Sequence, residues 1–107
     1  MEDFEYKALL FDFYGNMLTE GQRTAFEEHV IEDLTVSEIA QNREVSRQAA
    51  SDLLKRTERI LKDYEAKLHL VEKFLNIRQR TEGIDKIARE RGEDDILALT
   101  REILEEL

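Results

Sequence analysis

An all-α fold is predicted for this 107-residue chain by three features. Proline is absent and glycine occurs only four times, so helices can run without interruption. Charged residues make up 38% of the chain and there is little clustering of β-branched residues. Three hydroxyl residues placed to cap helices, Thr19, Thr35 and Ser46, fall within thirty residues. A chain of this size buries about 60–70% of its unfolded surface, enough for one modest core.

The first helix is expected over about Phe4 to Asn16, with Phe4, Ala8, Leu9, Leu10, Phe11, Phe13 and Tyr14 forming a wide apolar face. Gly15-Asn16 supplies residues able to take a left-handed stop. Thr19 with Gln22 spells a capping box, opening a second helix that runs to about Glu32 and turns Ala25, Phe26, Val30 and Ile31 inward. Thr35 with Glu38 repeats the device, giving a short third helix from about Val36 to Asn42. After Ser46 no breaker occurs before Gly83, and a long helix is predicted to about Gln79. Ala50, Leu53, Thr57, Ile60, Tyr64, Lys67 or Leu68, Val71 and Phe74 recur along it at steps of three and four. Gly83 and Gly92 then bracket a short helix, Ile84 to Arg91. A last one, Asp95 to about Glu105, carries Ile96, Leu99, Ile103 and Leu107 on one side. Helices this short are not stable alone and must pack against the long helix or a second subunit.

The stretch EIAQNREVSRQA, residues 38–49, has the spacing of a helix-turn-helix. Ala40 is small where two such helices cross, Ile39 and Val45 are placed to fill the space between them, and Leu53 continues that packing. Ser46 can cap the second helix, whose exposed side then holds Arg47, Gln48, Ser51, Asp52 and Lys55. Arg47 and Gln48 stand at the leading end, where base edges are read; arginine pairs bidentately with guanine and glutamine with adenine. Arg47, Gln48, Ser51, Lys55, Arg56 and Arg59 are therefore the candidate nucleic-acid-binding residues. The solvated-surface alternative has Glu58 pairing with Lys62 along the same helix.

Charge is unevenly spread through a formal net of −9. Residues 1–42 carry 2 Lys/Arg against 10 Asp/Glu, residues 43–91 carry 13 against 9, and residues 92–107 carry 1 against 6. The basic excess thus begins at the turn of the motif and continues through the helix behind it, which permits phosphate contact while the total charge opposes it. There is no cysteine, so neither a disulfide framework nor a thiolate metal site can form. His29 and His69 are the only histidines, and His69 has Glu65 and Glu72 at helical spacing, but no H-E-x-x-H or paired E-x-x-H accompanies them. Boundary histidines are expected, with no metal and no cofactor. Adjacent carboxylates such as Glu27-Glu28 and Asp94-Asp95 diverge on a helix, and neither a phosphate-cradling glycine loop nor a nucleophile with its base is present. No catalytic residue is named and an enzyme is not expected. No apolar run reaches bilayer length, and Met1-Glu2-Asp3 is acidic where a signal peptide is basic, so a cytoplasmic protein is expected.

The blocks LTEGQRTAF, LTVSEIA and VSRQA, between Leu18 and Arg59, are similar to the promoter-reading region 4 of sigma factors. A closer resemblance is to the YlxM-type family, whose genes lie beside those for signal recognition particle components in Gram-positive bacteria. It is carried by FDFYGNMLTEGQR (11–23), SEIA (37–40), VSRQA (45–49), KRTE (55–58) and DYEAKLHL (63–70), and covers roughly residues 8 to 75. The resemblance implies an orthogonal helical bundle with a sigma region 4-like helix-turn-helix, unrelated to winged helices, followed by a long helix and short C-terminal helices. It also implies a regulatory or accessory role in the signal recognition particle pathway. Arg43 and Glu44 depart from both families, which usually place an apolar residue and then a small or turn-forming one there. A non-glycine residue held in the left-handed region costs about 1 kcal/mol, and loss of the apolar plug is expected to loosen the turn.

The expected organisation is a helix-turn-helix domain over 1–75, including the long recognition helix, and a C-terminal helical tail over 76–107. The leading function is a helix-turn-helix regulatory protein acting on DNA or RNA, with signal recognition particle components as partners. The alternative is a protein-interaction module that keeps the motif as scaffold. The apolar faces of the first and long helices further suggest a homodimer.

Overall fold

The computed structural model describes residues 3–107; Met1 and Glu2, the start of the acidic N-terminus, lie outside the described residues. Every regular element among the described residues is helical, as the composition predicts. In order they are α1 (Asp3–Tyr14), a 3-10 turn (Gly15–Met17), α2 (Glu20–Val30), α3 (Val36–Arg43), α4 (Arg47–Leu68), α5 (Leu70–Arg91) and α6 (Asp94–Glu106). The chain divides into two compact units, one ending at His69 and one running from Leu70 to Leu107.

In the first unit, α1, α2 and α3 all pack on α4. Both capping boxes form. The Thr19 hydroxyl accepts from the Gln22 amide at 3.3 Å while the Gln22 side chain accepts from the Thr19 amide at 3.1 Å. Thr35 and Glu38 exchange the same two bonds at 3.1 Å each. The Ser46 hydroxyl accepts from the Ala49 amide at 3.0 Å and starts α4. Leu10, Tyr14, Ala25, Phe26, Ile39, Ala50 and Leu61 close the core. Complete burial of a side chain such as Phe26 or Leu61 contributes about 1.5–3 kcal/mol. Tyr14 stacks on Tyr64 with ring centroids 5.8 Å apart, and its hydroxyl donates to the buried Glu65 carboxylate at 2.5 Å, joining α1 to the end of α4. Gly15 takes no left-handed stop. It is buried beneath the Phe11 ring, where an added Cβ would come within 3.2 Å, so the position requires close approach rather than a special φ.

Several expectations are corrected. The predicted helix to Gln79 ends at Leu68, because His69 adopts φ 56° and turns the chain into α5. Histidine, with Asn and Asp, enters the left-handed region more readily than most residues; Asp33, at φ 61°, does the same after α2. Conversely, Gly83 breaks nothing: α5 passes through it, in open surroundings. The inward stripe of α4 is Ala50, Leu54, Thr57, Leu61 and Glu65, one position round the helix from Leu53, Ile60 and Tyr64, which are half-buried. Ile31 and Phe4 are exposed rather than inward.

The second unit is an antiparallel hairpin. Gly92 at φ 67° ends α5 with the Glu93 amide bonded to Ala88 O at 2.9 Å, a Schellman turn that sends α6 back along α5. Thr81, Asp85 and Ala88 on α5 and Thr100 on α6 are buried. The Thr100 hydroxyl donates to Asp85 at 2.7 Å, and Arg89 holds the other Asp85 oxygen at 2.5 Å.

Candidate nucleic-acid interface

The connection between α3 and α4 is three residues long, Glu44 to Ser46. Glu44 sits at φ 56°, ψ 43°; its amide reaches Ala40 O and Gln41 O, and the Val45 amide bonds Ala40 O at 3.0 Å. The turn is thus a Schellman motif completed with glutamate where glycine is usual. Ile39 and Ala40 are buried against α4, but Val45 is 45% exposed and plugs nothing. Arg43 takes a different place from an apolar plug. Its half-buried guanidinium reaches back to Glu28 on α2 at 3.7 Å, tying the end of α3 to its neighbour, although Arg43 Nε and Glu28 Oε2 are buried without hydrogen bonds.

With 3.6 residues per turn, the six candidate residues fall on two adjacent rows of α4. Arg47, Ser51, Lys55 and Arg59 form one, each four residues from the next; Gln48 and Arg56 form the other, with Asp52 between them. Arg47, Gln48, Lys55, Arg56 and Arg59 are exposed. Ser51 is half-buried and lines two clefts. One, with Val36, Arg47 and Gln48, lies between the starts of α3 and α4. The other is walled by Lys7, Phe26, His29, Val36, Leu54, Lys55 and Glu58.

Among the described residues, Arg47, Lys55, Arg56 and Arg59 take part in no ion pair. Glu58, three residues beyond Lys55, is engaged elsewhere, binding Lys7 at 2.9 Å and Lys62 at 3.5 Å. Burial pulls the Lys7 ammonium down, but hydrogen bonds and charge from Glu58 and Asp3 outweigh it and hold it above the ordinary lysine range. The first turn of α4 contains no acidic residue, and the helix N-terminus adds a partial positive charge there, with Glu44 the acid just before the Ser46 cap. Two acids do sit on the face, Asp63 continuing the Arg47 row beyond Arg59 and Asp52 lying between Gln48 and Arg56. Asp52 accepts from the Gln48 amide at 2.9 Å and keeps that side chain folded along the helix. The i,i+4 spacing of Gln48 and Asp52 was the sequence signal for this contact.

On α2, the His29 ring nitrogen Nδ1 lies 2.7 Å from Leu34 O and its ring packs on Phe4. No helix among the described residues is long and apolar enough to cross a membrane.

A family model described as "Putative helix-turn-helix protein, YlxM / p13 like" matches residues 1–102. The chain belongs to this family. Relatives agree along most of its length. A UPF0122 protein of Thermoanaerobacter sp. (strain X514) is 40% identical over 110 residues, covering 99% of this chain and 94% of the relative. One from Limosilactobacillus reuteri (strain DSM 20016) is 46% identical over 86 residues, or 80% and 76% of the two chains. One from Streptococcus pneumoniae serotype 19F is 41% identical over 95 residues, 89% and 84%. In this YlxM-like chain the match runs through α3, α4 and both helices of the C-terminal hairpin.

Proposed function

We propose that this protein is a non-enzymatic, cytoplasmic helix-turn-helix regulator that contacts nucleic acid through α4, as a homodimer and without a cofactor. The observation that carries the reading is the group of basic side chains on the recognition helix, Arg47, Lys55, Arg56 and Arg59, without ion-pair partners among the described residues and following a first turn free of acids. Arg47 and Gln48 read bases, Gln48 after leaving Asp52; Lys55, Arg56 and Arg59 hold phosphates; Ser51 lies in the row between them. The accessory role in the signal recognition particle pathway is drawn from the family resemblance.

The test is a low-salt binding assay with promoter DNA and signal recognition particle RNA side by side. Affinity is expected to fall log-linearly with salt and to disappear in Arg47→Glu. A second reading, a protein-interaction module, is favoured by the Gln48–Asp52 bond and by the acidity of residues 1–42. Binding of a basic protein partner that survives both nuclease and Arg47→Glu would select it.

A further inference from the structure

We propose that a second copy of the chain docks on one face of the α5–α6 hairpin, forming a four-helix bundle in which α5 of each protomer lies against α6 of the other. This rests on the homodimer reading and names its surface; it is independent of nucleic-acid binding.

The hairpin leaves unusually large apolar side chains outside. On α5, Ile77, Ile84 and Ile87 are 47%, 49% and 50% exposed; on α6, Leu99, Ile103 and Leu107 are 60%, 42% and 39% exposed. These belong to one surface. Ile84 and Ile87 each precede an inward residue of α5 by one position, Asp85 and Ala88. Leu99 and Ile103 likewise each precede an inward or half-buried residue of α6, Thr100 and Leu104. An antiparallel helix pair is related by a twofold axis perpendicular to the hairpin plane, so equal offsets on the two helices fall on the same face. Large exposed apolar residues gathered on one face mark an interaction surface.

Charge identifies the occupant. On α5, Lys73, Arg80 and Arg91 share the stripe of Ile77, Ile84 and Ile87, which runs from Lys73 to Arg91 at steps of four and three; on α6, Asp95, Glu102 and Glu106 lie along the outer edge beside Leu99, and none of the six takes part in an ion pair among the described residues. The surface is therefore basic on its α5 side and acidic on its α6 side, which a second copy complements. A twofold axis along the bundle sets each α5 against the partner α6, apolar on apolar and the basic side on the acidic side. Pairing α5 with α5 would set arginine against arginine. The register agrees: the Thr100–Asp85 bond fixes which levels of the hairpin coincide, and it puts Arg91 level with Asp95 and Arg80 level with Glu106.

Sedimentation over a range of concentrations tests this, with circular dichroism to check that the exposed substitutions leave helix content intact. Wild-type chain is expected to dimerise, and Ile84→Asp with Leu99→Asp to raise the dissociation constant by about tenfold or more. Arg80→Glu is expected to weaken the dimer, and Glu102→Arg with Glu106→Arg to restore it. A wild-type monomer would overturn both the surface and the homodimer reading. A dimer indifferent to Ile84→Asp with Leu99→Asp would overturn the surface and leave the homodimer standing. Loss without charge-swap rescue would overturn the pairing of α5 with α6. Should the double aspartate variant lose helicity, the charge reversals decide alone.

Discussion

Glu44 carries a side chain where the backbone favours none. At φ 56° it completes the α3 turn in a conformation strained by its Cβ. Glu44→Gly is expected to stabilise the protein by about 1 kcal/mol in urea unfolding, with glycine's extra unfolded-state freedom offsetting part of the gain. It also removes a negative charge beside α4. Six residues earlier, Glu38 closes its capping box, and hydrogen bonds from the Thr35 backbone and then its side chain hold the Glu38 carboxyl below the usual glutamate range. Because the folded value is the lower one, the stabilisation is complete above the unfolded pKa and is lost as pH falls through the folded pKa. A side-chain NMR titration should find Glu38 below an ordinary exposed glutamate, and Glu38→Gln should remove that part of the acid dependence. A normal Glu38 titration would show that the box opens in solution.

At the scale of elements, α1 is joined to α4 by a buried polar contact as well as by packing. Tyr14→Phe deprives Glu65 of a donor inside the core and should destabilise by about 1–3 kcal/mol in chemical unfolding. A variant as stable as wild type would mean that Glu65 is satisfied without Tyr14. No pattern local to α4 announces Glu65 as inward, because its partner lies 51 residues away. That distance explains the limits of sequence reading here. The starts of α2, α3 and α4 were legible because a cap is a local device, Thr19, Thr35 and Ser46 each bonding within three residues; the uncapped start of α5 at Leu70 was not. Stops were less so, since Asp33, Glu44 and His69 enter the left-handed region without glycine, while exposed Gly83 stays helical. The phase of α4 slipped by one because apolar residues are adjacent at Leu53-Leu54 and Ile60-Leu61; only the packing of α1 and α2 chooses between them. The candidate rows on α4 were legible from spacing. Asp52 holding Gln48, and Arg43 reaching Glu28, depend on side-chain geometry.

For the whole molecule, the account assigns different work to its two units. The first presents a helix-turn-helix whose basic rows begin at Arg47; the second presents an exposed apolar face that is basic on its α5 side and acidic on its α6 side, suited to bring two copies together. Dimeric helix-turn-helix proteins bind paired sites with a spacing set by protein symmetry, so a dimer-breaking change in the hairpin should weaken nucleic-acid binding while leaving α4 intact. Acidic surfaces elsewhere work against phosphate contact, and this is why salt dependence is decisive. Binding of wild type and Arg47→Glu to promoter DNA and to signal recognition particle RNA, each measured across a salt series, tests the central claim most directly. The account predicts a log-linear loss of wild-type affinity with salt, and for Arg47→Glu a slope smaller by about one or more together with weak binding even at low salt. Equal affinity and equal slope for the two proteins on both nucleic acids would contradict it.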